Sequence, residues 1–113
     1  MRIVYIGRMN NKSKAWRQGD VLFLKVENLP KEIKSVKTNI ILQNGSGGHP
    51  HLFKGGAWYP KQDGQFVIGY LVAKKTKIFH PEHSPKGDAL ENGIYEVRRQ
   101  VEETPEGMRV VVD

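Results

Sequence analysis

Four histidines, all that the chain contains, fall in two tight groups: His49 and His51 in "GGHPHLF", and His80 and His83 in "FHPEHSP". Imidazole binds borderline divalent ions and exchanges protons near neutral pH, so each group is a candidate for metal or acid–base chemistry. On a strand, His49 and His51 leave the same face with Cα atoms roughly 6.5–7 Å apart, which lets two rings converge on one ion at ~2.0–2.1 Å. Pro50 between them cannot donate to a ladder and predicts an edge strand or an extended loop. His80 and His83, three residues apart, reach one site only if the chain turns at Pro81.

Antiparallel neighbours would bring the two groups together. His49, His51, His80 and His83 would then form a ligand set for a divalent ion, Zn²⁺ first. Three ligands leave a position for activated water and hydrolysis, whereas four make a structural site. Glu82 enters as a fifth ligand, as the partner that orients an imidazole, or as a general base in a catalytic role. Without a metal, one imidazole serves as base and a protonated one as acid, with Lys54 or Lys86 holding an anionic phosphate. That describes a metal-independent ribonuclease or a phosphate-binding module. The plain alternative is four surface histidines in two proline-containing turns, and the question of enzyme or binding module stays open.

The elements that must position these residues read as β-structure. The 113 residues suit one domain over 1–113, with 38% hydrophobic and 27% charged residues. No apolar run approaches the ~20 residues that span a bilayer. The absence of cysteine excludes disulfides, thiolate metal sites and a cysteine nucleophile. With no signal-peptide layout at the N-terminus, the expected location is cytoplasmic, with no membrane partner.

Short β-prone runs broken by Gly, Pro, Asn and Asp predict an all-β fold, a small antiparallel barrel or sandwich of about seven to eight strands. "RIVYIG" (2–7) and "VLFLKVE" (21–27) read as strands, with "RMNNKSKAWRQGD" a polar loop between them. "VKTNIILQ" (36–43) reads as a strand running into the turn "NGSGG", and "KGGAWYPKQDGQ" as a loop. "FVIGYLVAK" (66–74) is apolar throughout and predicts a strand buried on both faces. "TKIFH" is a short strand, "PEHSPKGDALENG" a long loop, and "IYEVRRQVEE" (94–103) a strand whose Val101 is out of phase, as at a bulge. "TPEG" turns the chain into "MRVVVD", giving a C-terminal hairpin. The glycines match no dinucleotide or P-loop fingerprint and read as turn residues.

Charge adds a second theme. Lys and Arg number 18 against 12 Asp and Glu, a formal net charge of +6. Local clusters occur at Lys12, Lys14 and Arg17 around Trp16, and at Lys74, Lys75 and Lys77. With Lys54 these form a candidate RNA or DNA surface, on which Trp16, Trp58 and Tyr59 would stack on bases. A dispersed, solvated surface with core aromatics is the competing explanation.

The segments "QGDVLFLKVENLP", a glycine before H-x-H, "YLVAKKTKIFHPEHSP" and "GIYEVRRQVEETPEGMR" together resemble a family of small uncharacterised bacterial and phage proteins. That family reads QGDV, then Gly-His-x-His, then H-x-E-H, then G-x-Y-x-V-x-R-Q-x-E, and the resemblance covers Gln18 to Arg109. It implies shared importance for Gly48, His49, His51, His80, Glu82 and His83, and no assigned activity. This chain has Gly47-Gly48 where the family often has Thr-Gly, and Pro50 where it often has another residue. The cupin pattern fits less well, because Gly55 and Gly56 stand where its glutamate would fall. Three functions follow as expectations: a polyhistidine divalent-metal protein, hydrolytic if a ligand position is open; a basic nucleic-acid-binding module; and a phage or structural accessory protein assembling as an oligomer through edge strands.

Overall fold

Two-residue turns and closely spaced glycines set the geometry of this chain, and the strands between them are short. The computed structural model describes residues 2–8, 11–41, 50–61, 66–82, 84–99, 101–104 and 107–110. In chain order the strands are β1 (Arg2–Arg8), β2 (Asn11–Gln18), β3 (Val21–Val26), β4 (Ile40–Ile41), β5 (His51–Lys54), β6 (Ala57–Pro60), β7 (Val67–Ala73), β8 (Thr76–His80), β9 (Ser84–Leu90), β10 (Gly93–Arg99), β11 (Val101–Thr104) and β12 (Gly107–Val110). The described residues contain no helix, and so none long and apolar enough to cross a membrane.

The fold is all-β, and every strand pairing among the described residues is antiparallel. A six-stranded sheet runs β1-β2-β3-β10-β7-β6, a four-stranded sheet runs β4-β5-β8-β9, and β11 and β12 form a separate hairpin. The two larger sheets share one core. Phe23, Trp58, Leu71, Tyr95 and Val97 come from the first, and Ile41, Phe53, Ile78 and Leu90 from the second. The strands alternate as one-sided sheets do: in β5, His51 and Phe53 are buried while Leu52 and Lys54 are exposed.

Several expectations need correction. The polar loop before residue 21 contains β2, which lies between β1 and β3 with Ala15 opposite Leu24 and Trp16 opposite Phe23. Its lysines and glutamine hid a strand whose pairing on both sides outweighs its weak propensity. "KGGAWYPKQDGQ" contains β6, an edge strand on β7 that tolerates Pro60 at its end. "PEHSPKGDALENG" contains β9, again an edge strand carrying a proline, and its irregular pairing with β8 opposes His80 to Ser84. β7 is buried on one face only, since Leu71 and Ala73 are enclosed while Tyr70 and Val72 are half-exposed.

Of the predicted strand 36–43, only Ile40–Ile41 and a bridge from Val36 to Trp58 are β-structure among the described residues. Residues 42–49, with the "NGSGG" turn and His49, lie outside the described residues, as does His83. The phase break at Val101 marks departure from the six-stranded sheet into the β11–β12 hairpin, where Val101 faces Val110. The register irregularity itself falls at Val97/Arg98 against β7.

Candidate functional site: a buried histidine pair beneath a basic sheet face

The site begins at the turn between β2 and β3. Gln18 pairs with Val21 across Gly19 and Asp20, and Gly19 takes φ 58°, as a glycine at the first central position of a tight hairpin turn must. This turn carries two polar side chains inward: Gln18 is 2% exposed and Asp20 is 0% exposed. Both meet His51, which is fully buried on β5.

The hydrogen bonds fix the chemistry of that meeting. The Gln18 Nε2 amide donates to the Ile78 carbonyl at 3.0 Å and to Asp88 Oδ2 at 3.0 Å. Both partners are pure acceptors, so the amide orientation is determined and its Oε1 must accept. It accepts from His51 Nδ1–H at 2.7 Å. His51 Nε2 then faces Asp20 Oδ1 at 3.3 Å. Ser84, buried opposite His80, donates its hydroxyl to the same Asp88 oxygen.

β5 and β8 are antiparallel neighbours with Leu52 opposite Phe79, and this brings His51 and His80 together. Their ring centroids lie 4.7 Å apart at an interplanar angle of 48°, and His80 is also fully buried. One member of each histidine group therefore meets the other in space. The turn expected at Pro81 is present, and the Glu82 backbone amide donates to His80 Nδ1 at 3.2 Å. Glu82 itself is exposed in that turn and contacts the ring through its main chain. Among the described residues, no three His, Asp or Glu side chains are arranged as a ready metal-binding group.

Gln18, Asp20, Ser84 and Asp88 complete a polar cluster that histidine spacing did not reveal. Their one sequence signal is the pair of polar residues flanking a glycine in "QGD", directly before the apolar "VLFL". Burial pushes the Asp88 carboxyl up, but hydrogen bonds from Ser84 and Gln18 outweigh it and hold the group below the usual carboxylate value. A depressed folded-state value contributes stability above the unfolded-state value of about 3.9, and that stability disappears as pH falls. Asp88→Asn is therefore expected to flatten the acid limb of a stability-versus-pH profile below about pH 4. An unchanged acid limb, followed by urea unfolding at several pH values, would show that the cluster does not hold Asp88 ionised.

The basic residues divide into two kinds. Around Trp16 there is no open stacking surface: the ring is 7% exposed and packs edge-on against Tyr95, with centroids 5.4 Å apart and planes at 81°. Lys14 lies 3.8 Å from Glu91, and the half-buried Arg17 donates through Nε to the Gly19 carbonyl. The Lys12 side chain lies outside the described side chains. Trp58 is 4% exposed and belongs to the core.

Lys54, Lys74, Lys75 and Lys77, by contrast, are all exposed and gather on the four-stranded sheet. Lys54 on β5 sits directly opposite Lys77 on β8. Lys74 and Lys75 occupy the turn leading into β8, and Lys86 is exposed on β9. Between them lies Phe79, half-exposed, with Lys54 Nζ 5.7 Å from its ring centroid. Gly87 lets that ring lie close to β9, because a Cβ there would come within 2.5 Å of it. Leu52, Phe79, Pro50, Pro81 and Pro85 line an open groove of about 450 Å³, and His80 lies at its inner wall.

No curated protein and no solved structure matches this chain. A family model described as a domain of unknown function does match, over residues 17–100. That span holds the Gln18–Asp20 turn, both buried histidines, Ser84, Asp88 and every lysine of the four-stranded sheet face. The match is consistent with an uncharacterised family, and the chain belongs to the DUF8820 family.

Proposed function

We propose that the outer face of the four-stranded sheet binds single-stranded nucleic acid. The observation that carries this reading is the direct pairing of Lys54 with Lys77 beside the half-exposed Phe79. Like charges directly opposite each other on neighbouring strands are destabilising. Among the described ion pairs, Glu91 engages Lys14 and Lys25 and Glu96 engages Arg98, whereas none takes Lys54, Lys74, Lys75, Lys77 or Lys86. A face that concentrates unneutralised cations around an aromatic ring is suited to phosphates with bases stacked between them.

The surface favours a single strand over a duplex. A double helix is read by an element that enters a groove, whereas a sheet carrying an exposed ring accepts splayed, unstacked bases. Phe79 supplies one stacking platform, and Leu52 with the three prolines supplies apolar contact beside it.

Anisotropy of a labelled oligouridylate tests this reading. If four or five lysines neutralise phosphates, log K falls with log salt at a slope of about −3. Lys54→Glu combined with Lys77→Glu is expected to weaken binding by about tenfold or more, with a shallower slope. Phe79→Ala should cost about 1–3 kcal/mol of binding, the range for loss of one base–aromatic stack. Lys14→Glu, on the cluster around Trp16, should change little. Binding that is insensitive to salt, or unaltered by reversal of the two paired lysines, refutes the assignment.

A further inference from the structure

We infer that the cavity between residues 30–36 and Tyr70 of β7 is a binding site for a phosphorylated ribonucleoside. It belongs to the six-stranded sheet, so it goes beyond the nucleic-acid reading of the other sheet and does not depend on it. The path of the chain after β3 builds this cavity. β3 ends at Val26, whereas the Val36 amide donates to the Trp58 carbonyl at 3.0 Å on the far edge of the same sheet. Residues 27–35 must therefore cross β10, β7 and β6, about 19 Å at the usual strand spacing. They stand off the sheet as they cross and leave a cavity of about 810 Å³, within the size range of small-ligand sites.

The walls select the ligand. Lys31 and Lys34 from the crossing segment and Lys61 just after β6 line the cavity, and all three are exposed. The Lys61 amide donates to the Ile68 carbonyl at 3.0 Å, which fixes its backbone against β7. Among the described ion pairs, none takes any of these lysines. Three cations converging from two segments complement a phosphate, to which each can donate a charge-assisted hydrogen bond. Glu32 is the one acid in the lining. It holds φ 64°, and non-glycine residues in that region gather where a ligand is clamped. A carboxylate beside the phosphate position accepts from ribose hydroxyls, as acidic residues do in dinucleotide sites.

Tyr70 forms the floor. It is half-exposed on the outer face of β7 because its neighbour Leu71 is buried. Burial, reinforced by the Glu96 carboxylate, raises its pKa and keeps the phenol protonated as a donor. Glu96 is itself engaged by Arg98 Nε at 2.9 Å. The Tyr70 ring offers a base a stacking surface, and Val36, 46% exposed, offers it apolar contact.

The test titrates adenosine monophosphate into the nitrogen-15-labelled full chain, with adenosine, inorganic phosphate and deoxyadenosine monophosphate as comparisons. Amide shifts are expected within residues 30–36 and at Lys61 and Tyr70. The nucleotide should bind about tenfold or more tightly than adenosine or phosphate alone. Lys31→Glu combined with Lys34→Glu should weaken it by about tenfold or more while leaving the midpoint of thermal unfolding unchanged. The deoxy form should bind more weakly, a difference that Glu32→Gln removes. Lys54→Glu combined with Lys77→Glu should not alter nucleotide binding, which separates this site from the proposed oligonucleotide face. No shift, shifts confined to the four-stranded sheet, phosphate binding as tightly as the nucleotide, or equal affinity for the ribo and deoxy forms overturns the assignment.

Discussion

Replacing Gln18 with alanine is expected to destabilise the domain by about 3 kcal/mol or more, since the change strands several buried polar groups together. The side chain bridges the two sheets. From β2 it donates to the Ile78 carbonyl of β8 and to Asp88 of β9, and it accepts from His51 of β5. Each unmet buried partner costs about 1–3 kcal/mol, and truncation leaves no side chain to replace the amide. Gln18→Glu separates the contributions. The carboxylate still accepts from His51, but it cannot donate to Ile78 and it places a negative charge beside Asp88. Its loss of stability should therefore grow as pH rises through the carboxylate range. Denaturant unfolding of the three proteins measures both effects. A cost below about 1 kcal/mol for Gln18→Ala would mean that solvent satisfies the cluster and that the glutamine is not its organiser.

Trp58→Ala is the second large effect, expected at about 3–5 kcal/mol. Trp58 is buried on the edge strand β6, and its backbone carbonyl accepts from the Val36 amide at 3.0 Å. Its ring lies over Gly69 so closely that a Cβ at that glycine would stand 2.5 Å from Cη2 and 2.6 Å from Cζ2. Deleting the indole opens a cavity that β7 cannot fill, because the residue facing it has no side chain. Trp58→Phe should recover part of the loss while leaving oligonucleotide affinity unchanged, since the ring faces the core. A Phe variant that folds normally but loses nucleic-acid binding would show that this tryptophan contributes to the surface after all.

Much of the fold was legible because turn chemistry and alternation are local. Pro and Gly in "TPEG" mark the terminal hairpin, and "TKIFH" reads directly as β8. What escaped were strands whose stability is not local. β2 is polar and lysine-rich, and only its place between β1 and β3 makes it a strand. β6 and β9 sit on edges, where Pro60 and Pro85 are tolerated although proline normally argues against a strand. The candidate site was legible in half. Histidine spacing pointed at two groups that do approach each other, through His51 and His80. Gln18 and Asp20 are more than thirty residues away in sequence from His51, and nothing in their local pattern says that a hairpin turn carries them into the opposite layer. The lysines illustrate the same limit. Both clusters look alike in sequence, but pairing places one beside buried aromatics and Glu91 and the other on an open face.

The Lys54–Lys77 pair has a consequence for how ionic strength acts on this molecule. Screening shortens the reach of charge repulsion, so added salt relaxes the strain between the two ammonium groups and firms the β5–β8 pairing. The same salt weakens attraction to a polyanion. On the proposed reading of this face, stability and polyanion affinity would respond to salt in opposite directions through one pair of side chains. A bound phosphate backbone would substitute for salt at that pair, leaving the occupied sheet the more tightly held of the two states.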